Sequence, residues 1–225
     1  MSFFNFKGLF KFIGQVSAHP FKSGKIAINY FVTSISFLIF YPLWQIWVWI
    51  GLHLDRLIYR DFKQIKIKEP LFIIGNPRSG TTFLQRLLAK DKNNFTSMKT
   101  WEIMLAPSIT TRKLIKKLSQ IDKTLGYPFH KLLKRTEKLI QKTNPIHKIA
   151  FWQPEEDDYL FLHIWSSPRI WKLVGLTAEL RYYTFFDQLV SKRAKSRILN
   201  FYKRCLQRHL FYHQPKNKHY LAKNP

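Results

Sequence analysis

The chain has 225 residues, of which 46% are hydrophobic, so it is long and apolar enough to form a folded core. Its 38 Lys and Arg residues outnumber its 13 Asp and Glu residues, and the formal net charge of +25 favours anionic partners. A single cysteine, Cys205, excludes an internal disulfide framework and a cysteine-based zinc site. Nucleic acid, an acidic membrane and a phosphorylated or sulfated ligand all remain compatible with this composition.

Residues 1–25 form a basic segment with the pattern of an amphipathic helix. Large apolar side chains recur at helical spacing, namely Phe3, Phe6, Phe10 and Ile13. Lys7 and Lys11 fall outside that series. This pattern predicts a helix that lies on an anionic membrane surface.

Residues 26–54 contain no charged side chain when His53 is neutral, and roughly 20 apolar residues are enough to cross a bilayer. Three tryptophans suited to the headgroup layer lie in the second half of this segment: Trp44, Trp47 and Trp49. Pro42 predicts a kink or a split into two arms. We therefore predict a transmembrane or interfacial helix and a membrane-associated protein, with a buried core hairpin as the alternative. Basic residues flank both ends, so the side of the membrane stays open.

A basic linker over residues 55–68 leads into a folded domain over residues 69–225. The run from Leu71 to Ile74 has no polar alternation, which predicts a strand buried on both faces of a parallel sheet. A glycine-bearing loop follows, and apolar residues then return at helical spacing. In this order of strand, loop and helix, backbone N–H groups converge at the start of the helix and bind an anion.

The loop departs from the nucleotide-binding Walker pattern at one position. Gly75 and Gly80 have the Walker spacing, but Thr81 stands where that pattern has its lysine. A kinase-like nucleotide enzyme is therefore disfavoured.

The loop instead resembles the phosphosulfate-binding loop of sulfotransferases. The residues that carry this resemblance are Pro77, Arg78, Ser79, Gly80, Thr81 and Thr82. From about Glu69 to Pro225 the chain is similar to bacterial-type sulfotransferase-domain proteins. Further matching motifs are Trp101-Glu102, the acidic run Glu155 to Asp158, and the final Lys223-Asn224-Pro225.

The resemblance implies an α/β, P-loop-like three-layer fold with a parallel sheet, preceded by the membrane-associated helical segment. It also implies transfer of a sulfuryl group from 3′-phosphoadenosine 5′-phosphosulfate to a hydroxyl or amine. The residues implied in donor binding are Asn76, Pro77, Arg78, Ser79, Gly80, Thr81 and Thr82. No metal is expected, and the class of the acceptor is not predicted.

Two residues are candidates for the chemistry itself. Arg78 is our candidate cation for the phosphate oxygen that leaves sulfur, and a solvated loop charge is the alternative. Glu102 follows a predicted strand from Phe95 to Lys99, and the carboxyl ends of parallel strands line the ligand crevice. Glu102 is therefore our candidate base for the acceptor proton, and a surface carboxylate at a helix start near Ile103 is the alternative.

Two clusters allow both structural and functional interpretations. The carboxylates from Glu155 to Asp158 follow Pro154, which favours a helix start with internal ion pairing. The alternatives are that they orient Arg78 or a cationic acceptor, or that they bind a divalent metal. Three potential ligands stand at intervals of four on a predicted helix from Thr177 to Phe211: Cys205, His209 and His213. We interpret them as packing residues, because no second ligand cluster is evident.

Isoleucine and leucine alternate with lysine at helical spacing over Thr111 to Lys123 and Pro128 to Lys142, which predicts two helices with solvated faces. His219 to Ala222 is predicted as a late parallel strand. Members of the sulfotransferase family then continue into a segment that binds the 3′-phosphate of the donor. We accordingly expect an incomplete sheet and a fragment or truncated chain. The alternative function is a non-catalytic, membrane-associated protein that binds anions or nucleic acid, although nucleic acid is not an expected partner because no recognition motif is present.

Overall fold

The computed structural model describes residues 3–18, 24–76, 79–143, 150–172, 177–214 and 218–224. The helices in this part of the chain are α1 (Phe6–Ala18), α2 (Gly24–Ile58), α3 (Thr81–Leu88), α4 (Thr100–Met104), α5 (Ile109–Thr124), α6 (Pro128–Thr143), α7 (Pro168–Lys172), α8 (Thr177–Thr184), α9 (Phe186–Leu189) and α10 (Lys192–His213). The strands are β1 (Leu71–Ile74), β2 (Phe95–Thr96) and β3 (His219–Asn224), and two 3₁₀ helices span Arg60–Gln64 and Asp157–Ile164.

The strands of the described residues form a parallel sheet in the order β1-β3-β2. The register pairs Ile73 with Lys223 in β3 and Phe95 with His219 at its start. The middle strand is covered on both faces, because Tyr220 and Leu221 are both buried. The predicted α/β class with a parallel sheet is confirmed, and the late strand lies where the sequence predicted it.

The prediction that β1 is buried on both faces is wrong. Only Ile73 is buried, whereas Leu71 and Phe72 are exposed and Ile74 is 81% exposed. Within the described residues β1 pairs on one side only, with β3, so it is an edge strand. An apolar run indicates a strand, but its neighbours decide how many faces are covered.

The chain divides into two compact units, each assembled from separate stretches. One contains Met1–Trp49 and Asp158–Cys205, and the other contains Ile50–Asp157 and Leu206–Pro225. The predicted boundaries at residues 25, 54 and 68 stay a sequence prediction, because this division follows contacts and not chain order.

The core of the first unit is built around Trp165, which is fully buried. Its ring lies 4.7 Å from the ring of Tyr41 in α2 and 5.3 Å from that of Phe12 in α1. The backbone N–H of Asn5 donates to the carbonyl of Ile164 at 2.9 Å. Aromatic packing therefore joins α1 and α2 to the 3₁₀ segment before Trp165.

The second unit contains a buried ion pair that organises its helices. Arg208 in α10 donates to Asp55 in α2 at 2.9 Å, and both side chains are buried. The same carboxylate accepts the backbone N–H groups of Ile109 and Thr110, at 2.8 and 2.9 Å. Asp55 thus satisfies two of the N–H groups that the first turn of α5 leaves without a helical partner.

The predicted apolar helix is confirmed, and Pro42 does not split it into two arms, whereas the kink at Pro42 stays a prediction. Gly24–Ile58 is one helix with Pro42 inside. A proline removes one hydrogen bond of the helical ladder, and the packed turns around Tyr41 and Gln45 keep the helix continuous. Ser34–Ile58 has a mean hydropathy of 1.6 and is, within the described residues, the one helix long and apolar enough to cross a membrane by length and composition. A core helix of a soluble protein meets the same criterion.

The two lysine-rich helices predicted between residues 111 and 142 are confirmed as α5 and α6. The single helix predicted from Thr177 to Phe211 is wrong, because α8, α9 and α10 occupy that stretch. Val190 is extended at the last break, with φ −81° and ψ 126°. The hydroxyl of Ser191 then accepts the N–H of Ala194 at 3.3 Å and caps the start of α10.

Candidate functional site

The loop between β1 and α3 requires glycine at both ends of its motif. A Cβ at Gly75 would lie 2.8 Å from Cγ2 of Thr81 and 2.9 Å from Oγ of Ser79. Gly80 has φ +83° and stands immediately before α3. A larger side chain is disfavoured at Gly75 because there is no space for it, and at Gly80 because the backbone is left-handed. The spacing of these glycines therefore reflects a tight turn into a helix, as predicted.

The loop leaves the start of α3 open to an anion. The N–H of Ser79 donates to the carbonyl of Asn76 at 3.1 Å and closes a turn, while Gly80 gives α3 no side-chain cap. Ser79 and Gly80 are exposed, and Thr81 and Thr82 are half-buried. The N–H groups of the first turn carry the positive end of the helix dipole.

Pro77 and Arg78 lie outside the described residues. The role predicted for the Arg78 guanidinium therefore stays a prediction. Asn76, Ser79 and the residues that follow Ser79 are described.

Lys223 brings a second cation to the start of α3. Its Nζ donates to Oγ1 of Thr82 at 2.9 Å and makes a short hydrogen bond with Oε1 of Glu156. The lysine side chain is 3% exposed and that of the glutamate is 7% exposed. Because β3 pairs with β1 in parallel, the end of β3 lies beside the end of β1, where the loop begins. The sequence marks Lys223 as part of a motif at the end of an apolar strand, but its partners come from distant segments and were not predicted.

Three of the four carboxylates of the acidic run lie in the second unit, and they are not on a solvated helix end. Glu155, Glu156 and Asp157 are all buried. The hydroxyl of Tyr220 donates to Oδ2 of Asp157 at 2.9 Å, and the amide of Gln85 donates to the carbonyl of Glu155 at 3.5 Å. The predicted internal ion pairing is confirmed.

The predicted helix start within the acidic run is wrong in its details. Pro154 forms an isolated bridge with Lys99, and a 3₁₀ helix begins at Asp157. Hydrogen bonds from Tyr220 and Lys223 in β3, and from Gln85 in α3, hold this segment. A helix dipole is therefore not needed to explain the position of the carboxylates. In the first unit, Asp158 accepts two hydrogen bonds from Arg169, both at 3.2 Å.

Glu102 is buried, which the sequence did not predict. Its carboxylate accepts the backbone N–H of Lys99 at 2.9 Å and Nε2 of His213 at 2.7 Å, and Nε of Arg112 lies 3.6 Å away. Burial acts to raise the pKa of Glu102, but the charge of Arg112 and the hydrogen bond from His213, with the nearby histidines, together hold it well below its usual range. The carboxylate is therefore ionised at neutral pH.

His209 completes the network around Glu102. One ring nitrogen, Nε2, lies 2.9 Å from Oγ1 of Thr96, and the other, Nδ1, accepts from Arg112 at 3.3 Å. Full burial lowers the pKa of His209 well below its usual value, so the ring is neutral. The two hydrogen bonds assign the ring proton to Nε2.

Glu102, His209 and His213 could hold a metal by distance alone, since their ligand atoms lie within 4.8 Å of one another. The buried Arg112 guanidinium contacts the same ligand atoms and would repel a divalent cation. The geometry favours a hydrogen-bonded network over a metal site. Cys205 is buried, and it is not a member of this group.

Glu102 and Glu156 have different partners in the structure. Among the described residues, the contacts of Glu102 reach α5 and α10, whereas those of Glu156 reach Lys223 and, through it, Thr82. A cavity of about 720 Å³ borders His219 at the amino end of β3, the end opposite the loop. The candidate anion site is the carboxyl end of β1 and β3.

Residues 70–164 match the model of the Sulfotransferase family. Over this segment the chain is similar to the sulfotransferase family. The matched segment contains the loop, Glu102 and the acidic run. The resemblance on which the donor-binding and catalytic roles were predicted is confirmed.

Two solved sulfotransferase structures have a similar fold. Sulfotransferase STF1 from Mycobacterium tuberculosis H37Rv has a TM-score of 0.55 at 17% identity, over 100% of this chain and 56% of that one. Sulfotransferase STF9 from Mycobacterium avium has a TM-score of 0.52 at 18% identity, over 78% of this chain and 41% of that one. The chain spans about half the length of these two proteins. Comparison with curated proteins gives no match. The sulfotransferase-like fold predicted from the sequence is confirmed.

Proposed function

We propose that this protein transfers a sulfuryl group from 3′-phosphoadenosine 5′-phosphosulfate to a hydroxyl or amine acceptor. The observation that carries the proposal is the Lys223 ammonium held at Thr82, on the first turn of a helix that opens from a sulfotransferase-type loop. A buried cation at the positive end of a helix dipole is an arrangement that binds a polyanion.

The described loop residues suit the 5′-phosphate end of the donor. Ser79 and Gly80 are exposed, and the first turn of α3 has backbone N–H groups to donate. The hydroxyls of Thr81 and Thr82 add donors of their own. We assign these residues to the phosphate. Asn76, Pro77 and Arg78 are assigned to donor binding on the family resemblance.

In the transfer step the acceptor oxygen or nitrogen forms a bond to sulfur while the bond from sulfur to the phosphate oxygen breaks. The electron pair of the broken bond stays on that oxygen, where negative charge grows. Arg78 and Lys223 are proposed to stabilise this charge, because fixed cations aimed at a developing charge lower the barrier.

The acceptor proton requires a base, and Glu102 is our sequence-based candidate. Its network keeps the carboxylate ionised, which is the state that a base needs. The same network lowers its pKa, which weakens the drive to take up a proton near neutral pH. A Glu102→Gln variant with unchanged turnover across pH would remove this residue from the mechanism.

Calorimetric titration of adenosine 3′,5′-bisphosphate into the full chain tests the donor site. We expect binding to the wild type and a loss of at least about tenfold in affinity for Arg78→Ala and for Lys223→Met, because each removes a charge-assisted contact. Lys117→Met, at an exposed lysine on α5, is the matched control. Failure of the wild type to bind, or indifference to both site variants, would contradict the proposal. Binding of duplex DNA that ignores Arg78→Ala would instead support the alternative function.

We also propose that the N-terminal helices associate the protein with a lipid bilayer. The exposed apolar side chains of α1 and α2, with the basic residues of α1, support this location. Flotation of the full chain with lipid vesicles tests the association. Its outcome is independent of donor binding.

A further inference from the structure

Helix α2 leaves one apolar face uncovered within the first unit. Four of its residues recur at helical spacing and are between 39% and 64% exposed: Ile35, Ile39, Leu43 and Ile46. Phe40 and Trp47 border them and are also exposed. An apolar strip of this length is unfavourable in water and marks a surface that meets an apolar partner.

The opposite face of α2 packs on its own chain through polar contacts. The hydroxyl of Tyr41 donates to the carbonyl of Leu162 at 2.7 Å, and the amide of Gln45 lies 3.3 Å from Nδ1 of His163. Nε1 of Trp49 donates to the carbonyl of His163 at 3.1 Å. A helix that crossed the hydrocarbon core would carry the segment that contains His163, and with it the partly exposed ion pair between Arg169 and Asp158, to the depth of the acyl chains. Charged side chains at that depth are costly.

Helix α1 repeats this arrangement on a smaller scale. Its covered side packs on the core, where the ring of Phe12 lies 5.3 Å from that of Trp165 and 6.2 Å from that of Phe37 in α2. Its uncovered side carries Phe6, Phe10 and Ile13 together with Lys7 and Lys11. Cations beside an apolar stripe are typical of a helix that lies in the plane of an anionic membrane surface.

A cavity of about 670 Å³ at the start of α1 combines aromatic and basic side chains. The aromatic lining residues are Phe3, Phe4, Phe6, Tyr182 and Tyr183, and the basic ones are Lys7, Arg193 and Arg197. Aromatic rings suit the headgroup layer, and guanidinium and ammonium groups attract lipid phosphates. With a net charge of +25, the protein complements an anionic bilayer and not a neutral one.

We propose that α1 and α2 seat the protein in the plane of an anionic bilayer, with their uncovered faces at the boundary of headgroups and acyl chains and neither helix crossing it. The inference rests on the membrane association proposed above and is independent of sulfuryl transfer. In this arrangement both ends of α2 lie on one side of the membrane.

Flotation of the full chain with vesicles of phosphatidylcholine, with and without phosphatidylserine, tests the surface. Leu43→Asp should reduce binding by at least about tenfold, because a carboxylate at the acyl boundary is costly. Lys7→Gln with Lys11→Gln should reduce binding about fivefold per lysine, and only on the anionic vesicles. Leu118→Asp, at an exposed leucine of α5 in the second unit, is the matched control and should bind like the wild type.

Several outcomes would overturn the proposal. Loss of binding in Leu118→Asp with normal binding in Leu43→Asp would assign the membrane surface to the second unit. Equal binding to both vesicle types would remove the requirement for anionic lipid, and absence of wild-type flotation would remove the association itself. Far-ultraviolet circular dichroism and the milder Leu43→Gln separate a folding defect from a binding defect.

Single cysteines test whether α2 crosses the bilayer. In a Cys205→Ala background, Gly14→Cys and Arg60→Cys place one thiol before α2 and one after it, and both replaced residues are exposed. With vesicle-bound protein, we expect a membrane-impermeant maleimide to label both without detergent. Labelling of one position only after detergent is added would mean that α2 spans the bilayer, and the in-plane arrangement would then be wrong.

Discussion

Removal of the Lys223 ammonium is expected to destabilise the fold strongly. In Lys223→Met, Glu156 keeps its charge in a place where its side chain is only 7% exposed and has lost its ammonium partner. Breaking a buried ion pair from one side costs about 3–5 kcal/mol, because the remaining charge is left uncompensated. We therefore expect the free energy of unfolding to fall by about that amount.

The double variant Lys223→Met with Glu156→Leu should recover most of this loss. It replaces both buried charges by apolar side chains of similar volume, which is often close to neutral. An exposed pair provides the matched control. Lys195 lies 3.8 Å from Asp187, whose side chain is 95% exposed, so Lys195→Met should cost less than about 1 kcal/mol.

Urea unfolding followed by tryptophan fluorescence measures these differences, and bisphosphate titration of the same variants separates stability from binding. A Lys223→Met variant that loses no more stability than Lys195→Met would refute the buried pair. A double variant no more stable than the single one would refute the charge argument. Both variants lack the ammonium, so normal bisphosphate binding by the double variant would refute the role of Lys223 at the anion site.

Two further predictions concern Glu102 and the loop. Glu102→Gln should lower the free energy of unfolding by about 3 kcal/mol at pH 7, since it leaves the buried Arg112 without a charged partner. Folding lowers the pKa of Glu102, so the stability that its carboxylate contributes is present above the ordinary pKa of about 4.3 and is lost as the pH falls below that value. The difference in the free energy of unfolding between the wild type and Glu102→Gln, measured by urea unfolding, should therefore shrink below about pH 4. Gly75→Ala should weaken bisphosphate binding by at least about tenfold, because its Cβ would meet Thr81 at 2.8 Å and shift the loop. Gly14→Ala, where nothing lies within 4 Å, should leave bisphosphate affinity unchanged in the same titration.

The loop was predictable because its determinants are local. A left-handed residue at Gly80 and a crowded one at Gly75 follow from the turn itself, and the turn follows from the order of strand, loop and helix. The lysine-rich helices were predictable for the same reason, since their periodicity lies within one element. Such features depend on neighbours within a few residues.

The cations and carboxylates were less predictable, because their environments come from distant segments. Lys223 and Thr82 are 141 residues apart, and Lys223 and Glu156 are 67 residues apart. Glu102 lies in the first turn of a helix, as its alternative interpretation had it, but it is buried and contacts His213, 111 residues away. No local pattern distinguishes a solvated carboxylate from one that a distant helix covers.

Glu102 and Glu156 differ in what their partners do. The partner of Glu102 is Arg112, which also donates to the carbonyl of Ala106, in the connection between α4 and α5. The guanidinium of Arg112 is therefore held by α4, by α5 and by their connection. The partner of Glu156 is Lys223, whose ammonium also touches Thr82 at the start of α3. An anion that arrives at α3 therefore competes with Glu156, and not with Glu102, for a cation. The proposed donor binding would therefore directly change the environment of Glu156 and not that of Glu102.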